Sequence, residues 1–259
     1  MRKILLIGCG HMGNALLDSW IKSKNYTFTL VDPIQYKYLK QKYSHKNIQI
    51  IKNIDSIKKN VNFDFVVFAV RPVDLDNVLN QLSKIEFKKN TSFISVIAGK
   101  KLATFKRNFK YQRNFFRVMP NMPAIIGESM NCIVSNKKAD KIKQKEVIKL
   151  FSYSGKTHLF NNENQIDMAT SISGSGPGYV FYILDAMEKA AIHLGFKKYI
   201  AKLLVTQTFK GSIDLLLNNN LSADKLVDKI ATKGGTTEAG LKVMKKNKLD
   251  KIFRDLTKS

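Results

Sequence analysis

Short, mainly apolar runs recur through the first part of the chain, at residues 4–7, 27–31, 48–51, 65–70, 92–97 and 115–119. Runs of this length suit strands buried on both faces of a parallel sheet. Between them, over 14–21, 34–43, 55–59, 73–82 and a stretch reaching about residue 109, apolar positions follow the i, i+3, i+4 spacing of helices. Strand and helix alternating through short links predict an α/β fold, a Rossmann-type, doubly wound parallel sheet. Two more short strands are expected at 128–135 and 156–160, with a helix at 141–152 between them.

Near Asn161 the pattern changes to helical spacing alone, at 165–171, 179–194 and 199–217. The predicted division is therefore an α/β domain over 1–160 and an all-helical domain over 161–259. The helix at 179–194 carries Tyr179, Val180, Ile183, Leu184, Met187, Ala190, Ala191 and Leu194, so it is apolar nearly all round. Such a helix must be buried. A tail of this size cannot hide two of them within itself, which predicts that a second subunit covers them and that the protein is a homodimer.

The first strand runs into Gly8-Cys9-Gly10-His11-Met12-Gly13, a G-x-G-x-x-G turn followed at once by a helix. That context makes the glycines a dinucleotide-binding hypothesis. Gly8 permits the tight turn, Gly10 lets the backbone approach a pyrophosphate, and Gly13 lets helix and strand pack closely. The helix N-terminus offers unpaired N–H groups and a partial positive charge to phosphate. The second strand ends in Asp32, close to the offset expected of a ribose-binding carboxylate. A carboxylate there accepts from a ribose 2′-OH and repels a 2′-phosphate, which favours NADH over NADPH. Asp32-Pro33 is also an ordinary turn signal.

Ligands of a doubly wound sheet sit outside the carboxyl ends of its strands. Besides the glycine turn and Asp32, those ends hold Asn53, Ala69-Val70-Arg71-Pro72, Ala98 and Met119-Pro120-Asn121. Each alone reads as a turn, and together they trace one groove.

Composition changes this picture little. The chain has 259 residues, 44% hydrophobic and 25% charged, as in soluble globular proteins. No apolar run approaches the roughly 20 residues of a membrane span. The chain enters a strand at once, without the regions of a secretory signal, so a cytoplasmic location is expected. Two cysteines, Cys9 and Cys132, make neither a disulfide framework nor a zinc site. The formal charge of +24 would suit an anionic partner. Its lysines, however, are spread along the chain and mixed with asparagine, as in Lys58-Lys59-Asn60 and Lys245-Lys246-Asn247-Lys248. Without a nucleic-acid fold motif, solvated helix faces account for them better than a nucleic-acid surface. His158 and His193 stand isolated and read as structural.

Two segments go further than these general patterns. Ser173-Gly174-Ser175-Gly176-Pro177-Gly178-Tyr179 resembles the Ser-Gly-Ser-Gly-Pro-Ala-Tyr segment that opens the dimerisation helix of pyrroline-5-carboxylate reductases. The segment Ile230-Ala231-Thr232-Lys233-Gly234-Gly235-Thr236-Thr237-Glu238-Ala239-Gly240-Leu241 resembles the same family's C-terminal signature. The glycine turn, Ala69-Val70-Arg71-Pro72 and Met119-Pro120-Asn121 stand where the family has equivalents, so the likeness covers nearly the whole chain. It implies hydride transfer from NADH or NADPH to the C=N carbon of 1-pyrroline-5-carboxylate, giving L-proline. It also implies a helical domain interlocking two subunits, often in larger rings of dimers.

On that resemblance Lys233, Gly234, Gly235, Thr236 and Thr237 are the substrate-binding loop and Thr237 is the catalytic residue. Gly234 and Gly235 before a helix would present N–H groups to the substrate carboxylate. The Thr237 hydroxyl would hydrogen-bond the ring nitrogen as it gains electron density. Positioning would then supply most of the catalysis. Without the family, Gly-Gly-Thr-Thr is a plain helix entry with a threonine cap.

Departures from the family pattern are Lys233 for a usual proline, Met122 for threonine, Arg71 for lysine, and Asn220 near an acidic position of some members. Arg71 keeps the charge, though its planar fork is not equivalent to lysine. Rival readings are a reductase of another small cyclic imine, a 3-hydroxy-acid dehydrogenase, and a non-catalytic dinucleotide-binding protein with a basic surface for nucleic acid. The dehydrogenase would place a Lys or His at the start of the long helix, where this chain has Gly-Ser-Gly-Pro.

Overall fold

The computed structural model describes residues 1–44, 48–57 and 62–257. The expected helical stretch at 55–59 is a single turn at Ile54–Ser56, and its end at Lys58 and Lys59 lies outside the described residues. The chain divides into two compact units, Met1–Gly174 and Ser175–Ser259.

The first unit is built on eight strands: β1 (Arg2–Ile7), β2 (Tyr26–Val31), β3 (Ile48–Ile51), β4 (Phe65–Phe68), β5 (Ser92–Ser95), β6 (Asn114–Met119), β7 (Ser129–Ser135) and β8 (Gly155–Phe160). Their order across the sheet is β3-β2-β1-β4-β5-β6-β7-β8. From β3 to β6 every neighbouring pair is parallel, with Ile4 of β1 between Phe28 of β2 and Phe65 of β4. The sheet as a whole is not parallel, however. β7 turns back antiparallel to β6, Val118 opposite Ile133, and β8 follows β7 in parallel. The link between β6 and β7 spans only residues 120–128, and a parallel return needs a crossover of a dozen or more. Strand periodicity carries no direction, so only the link length could have signalled the reversal.

Side chains of a strand alternate between faces, and β1 shows what that does here. Ile4 and Leu6 enter one core with Leu16, Leu17 and Trp20 of α1 (His11–Trp20), Leu39 of α2 (Tyr36–Lys42) and Phe151 of α5 (Lys141–Phe151). Leu5 and Ile7 enter the other, with Leu79 of α3 (Leu75–Leu82), Phe105 of α4 (Leu102–Asn108) and Ile166 of α6 (Glu163–Ala169). Trp20 meets Phe151 edge to face at 5.5 Å on the first side. On the second, Phe93 lies 4.5 Å from Phe109 and Phe68 lies 5.0 Å from Phe105.

The sheet unit runs past residue 160, to Gly174. By contacts the sheet unit takes in α6, which the division expected at 160/161 assigns to the helical domain, and α6 is anchored to the sheet by a residue that periodicity hides. Arg117 of β6 is 2% exposed in a position that reads as core. Its Nη2 donates to Asp167 at 2.7 Å, and Nη1 lies 3.9 Å from Glu163. Glu163 also accepts the N–H of Leu102 at the start of α4. A buried guanidinium needs carboxylate partners, and α6 supplies both. The chain then leaves α6 through a π-helical turn, Thr170–Gly174.

The second unit holds α7 (Gly176–His193), α8 (Lys198–Leu217), α9 (Ala223–Ile230), α10 (Thr236–Lys246) and α11 (Leu249–Leu256). Among its described residues only Ala201 and Val205 are buried. Phe181, Tyr182, Leu203 and Leu217 are each more than half exposed. A single copy leaves the apolar sides of these helices in water.

Candidate active site

Each glycine of the first turn is placed by a different physical constraint. Gly8 has φ +90°, and a Cβ there would lie 2.6 Å from the carbonyl oxygen of Ala69. A Cβ on Gly13 would lie 2.2 Å from the carbonyl oxygen of Gly8. Both positions are closed by backbone, so no side-chain movement can relieve a larger residue. Gly10 differs, since a Cβ there would enter open space. Nothing within the protein requires a glycine at that point. A phosphate approaching the turn does. Gly10 also caps α1, whose first turn carries no acidic residue, leaving the positive helix end uncompensated.

Asp32, 7% exposed at the end of β2, ties this turn in place. Its Oδ2 accepts the Cys9 N–H at 2.7 Å, while Oδ1 accepts the N–H groups of Ile34 at 2.9 Å and Gln35 at 2.8 Å. Each carboxylate oxygen has two acceptor directions. Oδ1 is filled and Oδ2 keeps one for a sugar hydroxyl. Burial, and then the neighbouring Asp32 charge, push the Cys9 thiol up, so it stays protonated and inert.

A cleft of about 420 Å³ opens beside the turn. Gly8, Gly10, Asp32, Asn53, Ala69, Val70 and Arg71 all line it, which brings seven of the sequence-predicted residues together. Its remaining wall includes Lys52, Ile34, Gln35, Asp74, Asn77 and Gln81. The α3 members of that wall escaped the sequence reading because polar residues on a helix read as its solvent face. Arg71 is exposed and paired with Asp74 at 2.8 Å. The cleft lining does not include His11, Met12, Gly13, Pro72, Ala98, Met119, Pro120 or Asn121. Gly13 acts through packing, as described, and Ala98 lies exposed just before Gly99, whose φ is +71°. An open glycine, an uncompensated helix N-terminus and a carboxylate with one free acceptor direction together fit a dinucleotide.

The second glycine turn belongs to the helical unit. Gly234 has φ +78°, and Gly235 caps α10. The N–H groups expected to be free for an anion are not. Gly234 N–H donates to Glu238 Oε2 at 2.8 Å and Gly235 N–H donates to the Thr232 carbonyl at 3.0 Å. A helix leaves its first-turn N–H groups unpaired, and here those belong to Thr236, Thr237 and Glu238. An anion site at this turn therefore shifts one step along the chain. Glu238 is held below the usual carboxylate range, first by the Gly234 N–H and then by Lys242 at 3.1 Å. Lys233 and Thr237 are exposed.

No helix is long and apolar enough to cross a membrane, and no His, Cys, Asp and Glu cluster could hold a metal ion, both among the described residues.

Both turns lie in stretches of the chain that match known proteins. A family model for pyrroline-5-carboxylate reductase dimerisation matches residues 163–259, and a model for an NADP oxidoreductase, coenzyme F420-dependent, matches residues 3–99. The chain is 30% identical over 260 residues to pyrroline-5-carboxylate reductase 2 of Bacillus subtilis, covering 98% of this chain and 90% of that protein. Among solved structures, the pyrroline-5-carboxylate reductase of Coxiella burnetii aligns with a TM-score of 0.87 at 26% identity, over 98% of this chain and 94% of that one. The Plasmodium falciparum pyrroline carboxylate reductase with NADP bound aligns at 0.84 and 25%, over 99% and 94%.

Proposed function

The chain belongs to the pyrroline-5-carboxylate reductase family, and on that premise we propose a division of labour among its residues in the reaction. The protein is an NAD(P)H-dependent reductase that converts 1-pyrroline-5-carboxylate to L-proline. The observation that carries this reading is the likeness along the whole chain, with both glycine turns intact.

The bound reduced nicotinamide supplies the hydride. The protein's own residues bind and orient. Gly8, Gly10 and Gly13, with the N-terminus of α1, hold the pyrophosphate, and Asp32 takes a ribose hydroxyl on its remaining acceptor direction. His11, Met12, Asn53, Ala69, Val70, Arg71, Pro72, Ala98, Met119 and Pro120 complete the cofactor site. The N–H groups of Thr236 and Thr237 receive the substrate carboxylate, the preceding Gly234-Gly235 allows that approach, and Lys233 adds an exposed positive charge. The Thr237 hydroxyl donates to the ring nitrogen as the imine bond is reduced. The substrate imine is basic enough to arrive partly protonated, so orientation supplies most of the rate.

NADH is the preferred reductant. A buried Asp32 carboxylate would face a 2′-phosphate directly, and the residues after it, Pro33, Ile34 and Gln35, carry no cation. Lys52 lines the same cleft but is exposed, where its attraction is screened by salt. The helical unit is a dimerisation domain, so the working molecule is a homodimer, in rings of dimers at the largest, in the cytoplasm.

Oxidation of NADH and NADPH by 1-pyrroline-5-carboxylate, with a Thr237→Ala variant in parallel, tests these assignments. Turnover should fall about tenfold in the variant, the worth of one hydrogen bond of about 1.4 kcal/mol. The parent should show the higher kcat/KM with NADH. A parent that binds NADH as a folded dimer yet turns over neither cofactor would sink the reading.

A further inference from the structure

Asn121 follows directly on Met119-Pro120 at the end of β6, and its side chain is spent inside the protein. Its Oδ1 accepts the Met130 N–H at 2.9 Å and faces the Ser129 hydroxyl at 3.1 Å, while its own N–H donates to Ser129 Oγ at 3.1 Å. Its Nδ2 donates to the Ser173 carbonyl at 2.8 Å. The Asn121 carbonyl in turn accepts the Ala124 N–H at 3.0 Å. One residue thus ties together three segments: the carboxyl end of the last parallel strand, the first residues of antiparallel β7, and the π-helical turn Thr170–Gly174.

The Ser173 contact is the informative one. A π turn leaves carbonyls out of regular helical register, and such turns concentrate at functional sites. The Asn121 amide supplies a donor to one of these carbonyls from a strand end 52 residues away in sequence. A Cβ on Gly174 would lie 3.0 Å from the Thr170 side chain and 3.6 Å from Met119. The π turn therefore packs onto Met119, at a strand carboxyl end, where a doubly wound sheet binds its ligands.

We propose that Asn121 is a positioning residue of the reductase reaction: its amide fixes the Met119–Pro120 backbone, part of the cofactor site proposed above, against the Ser173 carbonyl. It acts through these backbone groups, and not as the ligand of the cofactor that its place at a strand carboxyl end predicts. This rests on the reductase reading, and parent turnover, measured alongside, tests that reading separately.

Asn121→Asp separates the two roles, because it keeps the acceptor toward Met130 and replaces the donor toward Ser173 by an oxygen. At pH 8 kcat should fall at least tenfold, while the NADH dissociation constant, read by fluorescence in the absence of substrate, stays within twofold. As pH falls, the ratio of variant to parent kcat should climb, since a protonated carboxyl again donates to the Ser173 carbonyl. The milder Ser129→Ala variant, which keeps the Ser173 bond, should lower kcat only two- to fivefold with NADH binding unchanged. Loss of NADH affinity in step with kcat would make Asn121 a cofactor contact and overturn the proposal. So would a variant-to-parent ratio that does not change with pH.

Discussion

The two glycine turns feed helices in the same way, yet they are held by different means. At the first, the atoms that forbid a Cβ belong to Gly8 and to Ala69, a residue on another strand end, and both are backbone. The turn is as rigid as the sheet that frames it. At the second, a Cβ on Gly235 would meet Thr232, three residues earlier, at 2.8 Å from its Oγ1 and 3.1 Å from its carbonyl. The remaining support is a single carboxylate, Glu238. One turn is preformed by tertiary packing. The other is a local ring in a unit with two buried residues among those described, whose wider support must come from a second copy.

Substitutions that fill each turn should expose this difference. Gly13→Ala drives a methyl to 2.2 Å from a backbone oxygen in a packed core, so strand and helix must separate. The expected cost is about 3 kcal/mol of stability, seen as a large fall in the denaturation midpoint together with loss of NADH binding. Gly235→Ala should behave differently. Its φ of −81° suits any residue and the Thr232 hydroxyl can rotate away. Its melting temperature should stay within about 2 °C of the parent, a change of no more than about 1 kcal/mol. Its kcat/KM for 1-pyrroline-5-carboxylate should nonetheless fall about tenfold, because the Thr236 and Thr237 N–H groups are displaced at the start of α10. Equal loss of stability in the two variants would show that the second turn is as firmly framed as the first.

The same contrast governs how much the sequence disclosed. The first turn was legible from residues alone, since strand, G-x-G-x-x-G and helix lie next to one another and Asp32 falls at a regular offset. The second was legible only through the family resemblance. Gly-Gly-Thr-Thr has no periodic signal, and the Gly234–Glu238 bond that fills one of its N–H groups is an i, i+4 contact invisible without coordinates. The reversal at β7 was hidden because alternation and apolarity carry no strand direction. Arg117 was hidden because a charge in an apolar run is interpretable only once Asp167 and Glu163 are seen to reach it. The polar wall of the cleft, Asp74, Asn77 and Gln81, failed for the opposite reason, having the ordinary look of a solvated helix face.

Glu238 offers the smallest and most discriminating test. Its carboxylate sits in the first turn of α10, where the helix end would otherwise favour the substrate's own carboxylate. Glu238→Gln keeps an oxygen to accept the Gly234 N–H, as glutamine does in a capping box, and removes only the charge. With the competing anion gone, KM for 1-pyrroline-5-carboxylate should fall about twofold, the direction expected when a like charge leaves a helix N-terminus, while kcat is unchanged. The pH dependence has a definite sign. The Glu238 carboxyl is held below its ordinary range, so the support it gives the loop is complete above the ordinary carboxylate pKa. That support is lost as pH falls through the depressed value, and the Gln variant should not share the loss. A rise in KM instead would mean that the Glu238 charge holds the turn open for substrate, and that the second turn depends on electrostatics where the first depends on packing.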